Sequence, residues 1–157
     1  MWGRSAAEAT VKRLVIFVAG GLTYGLLEII WRGYTHISMF VVGGLCLVII
    51  GSMDESGEVP CLLWQACLGS LTITVMEFTS GVIVNLVMGL EVWDYSQLPL
   101  NVMGQICLPY SVLWLVLSIP AIYYEDILRH YLFGESIPHQ RLFPEILVSE
   151  NSAKRAK

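Results

Sequence analysis

The sequence predicts an all-α integral membrane protein: a four-helix transmembrane bundle built from two parallel helical-hairpin repeats. Three observations carry that prediction. Of 157 residues, 55% are apolar and only 14% charged, where a soluble domain carries about 25% charged residues. The runs with at most one charge are long enough to act as spans. A polar pattern recurs at a fixed offset inside two of them.

The first run, Leu14 to Ile30, holds one charge, Glu28. A bilayer core about 30 Å thick needs about 20 mostly apolar residues, so span one is expected over about 14–32 with its flanks. No small-residue cleavage site follows it, and Trp31-Arg32 does. It is therefore expected to stay in the protein rather than leave as a signal peptide. The second run, Ile37 to Met53, holds no charge and predicts a span over about 37–53.

The third run, Val59 to Leu90, holds only Glu77 and is too long for one straight span. A span over 61–81 or longer is expected. It either continues as one tilted helix or breaks near Gly81 into an interfacial or re-entrant piece. The fourth run, Val102 to Tyr124, is uncharged and predicts a span over about 104–124, which Pro109 and Pro120 are expected to kink. After it, EDILRHYLF (125–133) has Ile127, Leu128, Tyr131 and Leu132 at helical spacing and is expected to continue or flank span four. The bundle is thus expected over 1–134, with a mobile cytoplasmic tail over 135–157 ending in KRAK, a basic end mildly attracted to anionic lipid.

Orientation follows from lysine and arginine. Arg4, Lys12 and Arg13 precede span one, and Arg129, Arg141, Lys154, Arg155 and Lys157 follow span four. Only Arg32 lies between spans. An even number of crossings puts both ends on one side, so both termini are expected in the cytoplasm, and the plasma membrane is the expected compartment. The acidic DESGE stretch (54–58) then becomes a cytoplasmic turn.

The repeat is read from four identities. Gly20, Leu22, Thr23 and Glu28 recur as Gly69, Leu71, Thr72 and Glu77, each 49 positions later. A weaker match sets Gly44, Cys46 and Leu47 against Gly104, Cys107 and Leu108. The second copy then carries an insertion around VWDYSQLPLN (92–101). Spans one and three would run in the same direction, as in a parallel repeat. Glu28 and Glu77 would lie at one depth, facing each other if those spans pack together. Gly25 and Gly21 share a helix face with Glu28, and Thr74 and Ser70 share one with Glu77. Such small-residue faces let helices approach closely in lipid.

A charged acid at mid-membrane costs about 2.5 to 3.5 kcal/mol on the insertion scale. Two ways of offsetting that cost are open. Glu28 pairs with Arg32 one turn later, and Glu77 stays protonated and hydrogen-bonds across the bundle. Alternatively the two acids share a proton or a cation, because close carboxylates cannot both ionise cheaply. In WDYSQLPLN, Trp93 and Tyr95 suit an interfacial anchor, Asp94 and Ser96 favour a turn, and Asn101 can satisfy loop backbone. The loop is either an ordered external connection or a lid that lowers Asp94 toward Arg32 or His36. His36 reads as a hydrogen-bonding residue, and Asn85 adds a polar contact of unknown partner.

Cys46, Cys61, Cys67 and Cys107 lie in or beside apolar runs without a CxxC. They read as small hydrophobes, with no disulfide or zinc site expected. There is no basic stripe for nucleic acid. Nucleophile, zinc-protease and phosphate-loop motifs are also missing, so no catalytic residue, metal or cofactor is expected, and any ATP must be bound by another chain.

Taken together, Glu28 in span one, R-x3-H (Arg32, His36), E-x3-G (Glu77 to Gly81), WDYS (93–96) and Asn101-x2-Gly104 resemble the family labelled putative ABC-transporter type IV. The stretch from Glu77 through WDYSQ is also similar to the membrane proteins called transmembrane protein 229. The resemblance covers roughly residues 14–134. It implies a multi-pass, permease-like protein whose ATPase is a separate subunit. Its recurrent polar residues fall on Glu28, Arg32, His36, Glu77, Asp94 and Asn101. The leading expectation is a small transporter or permease-like subunit whose glutamates bind a proton or cationic group. A bundle of four helices is thin for a solute path, so a homo-oligomer or a partner is expected beside the lipid bilayer. The rival is a non-transporting scaffold or regulator whose polar cluster fixes helix packing, and a lipid-acting enzyme is a third, weaker option.

Overall fold

The computed structural model describes residues 6–56, 61–138 and Leu142. Arg4, the end of the acidic stretch at 57–58 and the basic tail lie outside the described residues. Among the described residues four α-helices follow one another: α1 (Ala6–Arg32), α2 (Ile37–Ser56), α3 (Leu62–Gly81) and α4 (Leu108–Phe133). Among the described residues three helical spans are long and apolar enough to cross a membrane: Ala6–Arg32, Leu62–Val87 and Leu108–Phe133. The apolar part of α2, Ile37–Met53, is shorter. Leu22, Leu26, Ile30, Leu71 and Val116 are exposed. In water such outward apolar faces would be costly; against acyl chains they are not.

The helix limits have local causes. Glu8 in the first turn and Arg32 in the last match the sign of the α1 dipole. Gly33, at φ +81°, then turns the chain out of the helix. His36 starts α2, with Nδ1 accepting from the Ser38 backbone N–H at 3.2 Å, which satisfies one of the free donors at a helix start. α3 neither stops at Gly81 nor continues unchanged. It widens into a π-helical turn, Val82–Val87, a feature that often marks functional sites.

α4 differs from the sequence expectation. Residues 102–106 form a short antiparallel bridge, Val102 with Ile106, so the helix starts at Leu108 instead of 104. Pro109 falls in the first turn, where a missing N–H breaks no intrahelical bond, so it is not a kink site. The helix also runs on through Pro120 to Phe133 and ends at Gly134, φ +66°, so EDILRHYLF is part of α4.

α1 packs chiefly on α2, and α3 on α4 and α2, while α1 and α4 barely touch. The α1–α2 seam is tight because rings cover glycines. Phe17 lies over Gly44 and Phe40 over Gly21, and the two rings meet edge-to-face at 5.7 Å. On α3, Ser70 Oγ donates to the Ser111 carbonyl of α4 at 2.9 Å, and Gly69 faces Ser118. The small-residue faces thus pack against α2 and α4, not against each other. Lys12 meets Glu135 at 3.0 Å, so the start of α1 and the end of α4 share one end, here the base. The turn at 33–36 and the long loop 88–107 share the other. Arg129 Nη1 donates to the Gly51 carbonyl at 3.2 Å, so α2 runs between the same two ends.

Candidate functional site

Glu77 sits on the buried side of α3, only 3% exposed. One oxygen, Oε1, accepts from the Tyr95 hydroxyl at 2.9 Å. The other, Oε2, accepts from Trp114 Nε1 at 2.7 Å. Tyr95 comes from the 88–107 loop and Trp114 from α4, so three segments converge on one carboxylate. No lysine, arginine or histidine among the described residues forms an ion pair with it. Burial, then the nearby Glu77 charge, pushes the Tyr95 phenol above its ordinary range. The phenol therefore stays neutral and keeps both its donor and its acceptor capacity. Tyr95 stacks on Tyr110 at 4.6 Å and 16°, Tyr110 lies 6.4 Å from Trp114, and Trp114 lies 5.9 Å from Tyr24 of α1. Two of these four linked rings, Tyr95 and Trp114, hold the carboxylate directly.

Glu28 is served differently. It pairs with Arg32 at 2.6 Å and accepts from the Thr35 hydroxyl at 2.6 Å. Arg32 also donates to the Val92 carbonyl at 3.0 Å and lies over the Tyr34 ring, 4.6 Å from its centre. The pairing of Glu28 with Arg32 is the i,i+4 contact readable in the sequence. Glu28 and Glu77 have separate partners and share no hydrogen bond.

The loop is held by its own polar groups. Asn85, in the π-helical turn, donates to the Trp93 carbonyl at 3.0 Å and to Gln105 Oε1 at 2.7 Å. Its Oδ1 accepts from the Val92 N–H at 2.7 Å. Trp93 Nε1 donates to the Gln105 carbonyl at 3.0 Å. Gly81 lets this packet lie on α3, since a Cβ there would meet Gln105 Oε1 at 2.6 Å and Trp93 at 3.0 Å. Asp94 accepts from the Ser96 N–H and hydroxyl, both at 2.8 Å, which hold its carboxyl below the usual range. It bonds neither Arg32 nor His36. Asn101 donates to the Ser96 and Leu98 carbonyls at 3.1 and 2.9 Å. The residue the loop lowers into the bundle is Tyr95, the neighbour of Asp94.

Of the residues singled out in the sequence, the structure brings Glu28 and Arg32 together, puts His36 at the start of α2, and leaves Asp94 and Asn101 in the loop. Tyr95 and Trp114 were missed as partners of Glu77. The aromatic content of WDYS was a signal for the first, and a lone tryptophan within span four for the second.

A second charged cluster occupies the base. Glu135 takes Lys12 at 3.0 Å and Arg129 Nε at 2.7 Å, and Arg129 lies 3.6 Å from Glu125. Glu125 and Asp126 are 1% and 2% exposed. Glu135, the first residue of the expected tail, is therefore tied to the bundle. The four cysteines are free thiols, and Cys67 alone is exposed. Among the described residues no three of His, Cys, Asp and Glu come together as metal ligands do.

An apolar cleft of about 250 Å³ lies between the helices, with Tyr24, Cys46, Ile73, Trp114, Ala121 and Tyr124 among its walls. Thr23 donates to the Tyr124 hydroxyl at 3.0 Å, bridging α1 to α4.

Apolar outer faces, a buried carboxylate ringed by aromatic side chains and a folded connecting loop define a small multi-helix integral membrane protein. The chain belongs to the family described as "Putative ABC-transporter type IV", whose model matches residues 7–143. No curated protein and no solved structure matches the chain.

Proposed function

We propose that the protein is a small permease-like membrane subunit in which Glu77 binds a proton or a cationic group. One observation carries this: a carboxylate 3% exposed is served by neutral donors only, Tyr95 and Trp114. Trp114 Nε1 can only donate, so Oε2 stays an acceptor. Tyr95 can donate or accept, so a proton can be added on Oε1 with both contacts kept. Intramembrane acids that face a bundle interior mark pathways and sites. Glu28 has Arg32 as its counter-ion, which leaves Glu77 as the member of the glutamate pair able to take a cation without breaking an ion pair. Arg32, His36, Asp94 and Asn101 serve by shaping the loop end above it.

The finer architecture belongs to the same proposal. We read α1–α2 and α3–α4 as two hairpin copies, supported by the common offset of 49 and by each glutamate helix packing its small residues on its successor. Lys12, Arg13 and Arg129 at the base favour a cytoplasmic base with both termini on that side, in the plasma membrane. With a bundle this thin, a separate ATPase or further copies of the chain complete the path.

A scaffold reading has its own support, since Arg32, Asn85, Asp94 and Asn101 all spend bonds on the loop. Proteoliposomes separate the two. The full chain, with any ATPase that co-purifies from its native membrane, is reconstituted with a pH-sensitive dye inside. We expect a proton or organic-cation flux that falls at least tenfold in Glu77→Gln while the melting temperature is kept. Equal flux, or no flux, in the two proteins favours the scaffold.

A further inference from the structure

The apolar cleft has not been assigned an occupant, and its walls narrow the choice. It lies between helices whose outer faces are apolar, and α1 and α4 make few contacts with each other. Between α1 and α4 the cleft is crossed by the Thr23–Tyr124 hydrogen bond and the Tyr24–Trp114 ring contact, a small set of contacts that costs little to break. A solute reaching the cleft this way arrives from the hydrocarbon, so it carries an apolar body.

The polar chemistry sits at one end. Trp114 and Tyr24 both line the cleft, with ring centres 5.9 Å apart. Trp114 Nε1 donates to Glu77 Oε2 at 2.7 Å, and Glu77 itself is not among the walls. Ile73, also a wall, is one turn before Glu77 on α3. A group resting against these two rings thus has a carboxylate behind the wall. Aromatic faces attract cations, more strongly where water is excluded. The carboxylate adds a negative potential of the same sense and opposes an anion.

Building on the reading of Glu77 as the cation-binding group, we propose that the cleft binds a lipophilic organic cation. Its apolar body lies between α1, α2 and α4, its ammonium group rests on the faces of Tyr24 and Trp114, and Glu77 supplies the counter-charge. Entry is lateral, through the α1–α4 seam.

Phenyltrimethylammonium and tert-butylbenzene test this, because they share a shape and differ in charge. Binding of each is measured by titration calorimetry to the full chain in lipid nanodiscs, with empty nanodiscs subtracted. Wild type is expected to bind the cation and not its neutral twin. Glu77→Gln is expected to weaken the cation at least tenfold, and Ala121→Phe, which fills the cleft from α4, to abolish it. Melting curves of both variants confirm that they are folded. Equal binding of the two probes overturns the proposal, as does cation binding that Ala121→Phe leaves unchanged. Glu77-dependent proton flux in liposomes without cation binding overturns this inference alone and leaves the proton-binding role of Glu77 standing. Loss of both overturns the two together.

Discussion

Trp114 donates its indole N–H to Glu77 at 2.7 Å while its ring forms part of the cleft wall. One side chain therefore touches both the buried acid and the cleft. A glutamine at 77 can keep both contacts, accepting from Trp114 with its oxygen and donating to the Tyr95 oxygen with its amide. Glu77→Gln is expected to change stability by less than about 1 kcal/mol. Glu77→Leu leaves two buried donors unpaired, at about 1–3 kcal/mol each. Thermal melts of the two variants in one detergent check the order, and equal melting temperatures count against these contacts.

Asn85 holds three loop groups at once. Asn85→Leu keeps the volume and removes all three bonds, so several kcal/mol are lost, on the order of 1–3 for each buried group left unsatisfied. The effect should be local. Hydrogen exchange at the Val92 amide is expected to speed up far more than exchange in α1, and a uniform change along the chain would show that the loop is not what Asn85 secures.

Arg32 ties α1 to the loop through Val92 as well as pairing with Glu28. Lysine keeps the charge but lacks the planar fork that serves two acceptors. Arg32→Lys should therefore loosen the loop nearly as much as Arg32→Ala, at about 1–3 kcal/mol. Trp93 fluorescence or loop proteolysis reads this, and full rescue by lysine would leave charge alone as the role of Arg32.

Asp94 gives a pH dependence with a definite sign. The Ser96 N–H and hydroxyl depress its carboxyl below the ordinary value. Such a group stabilises the loop above the unfolded carboxylate value, about 3.9, and that contribution is lost as pH falls through the lower folded value. Loop order should thus be flat from neutral pH to about that value and decline below it. In Ser96→Ala, which removes the hydroxyl bond, the decline should be smaller and complete at a higher pH, as followed by the Ser96-position amide signal.

At the base, Glu135 bridges Lys12 and Arg129. Removing one partner of this partly buried pair leaves the other charge stranded, and replacing both with apolar residues is expected to cost less. Lys12→Met with Glu135→Met should therefore melt higher than either single variant. Additive losses in the double variant would show that the two residues are not coupled.

Much of the fold was legible because lipid leaves a simple mark: long charge-free runs, and bases gathered at the ends. The Glu28–Arg32 pair was readable because four residues along a helix is one turn. What escaped was contact between segments distant in sequence. Glu77 meets Tyr95 and Trp114 only once α3, the loop and α4 have packed, and no local spacing encodes that. EDILRHYLF reads as a helix that continues or flanks span four, but its periodicity does not tell that Glu125 and Asp126 are buried, with Arg129 3.6 Å from Glu125. Asn85 in the π-helical turn likewise meets its partners only once the loop has folded back on α3.

The central claim is that Glu77 changes its proton or cation occupancy inside the folded bundle. Isotope-edited infrared spectra of the protein in nanodiscs, recorded across pH and with phenyltrimethylammonium added, address it directly. We predict a protonated-carboxyl band that is lost as pH rises or as the cation binds, and that Glu77→Gln lacks. Spectra of wild type and Glu77→Gln that show no difference in this band at any pH would contradict the claim and leave Glu77 as a packing residue.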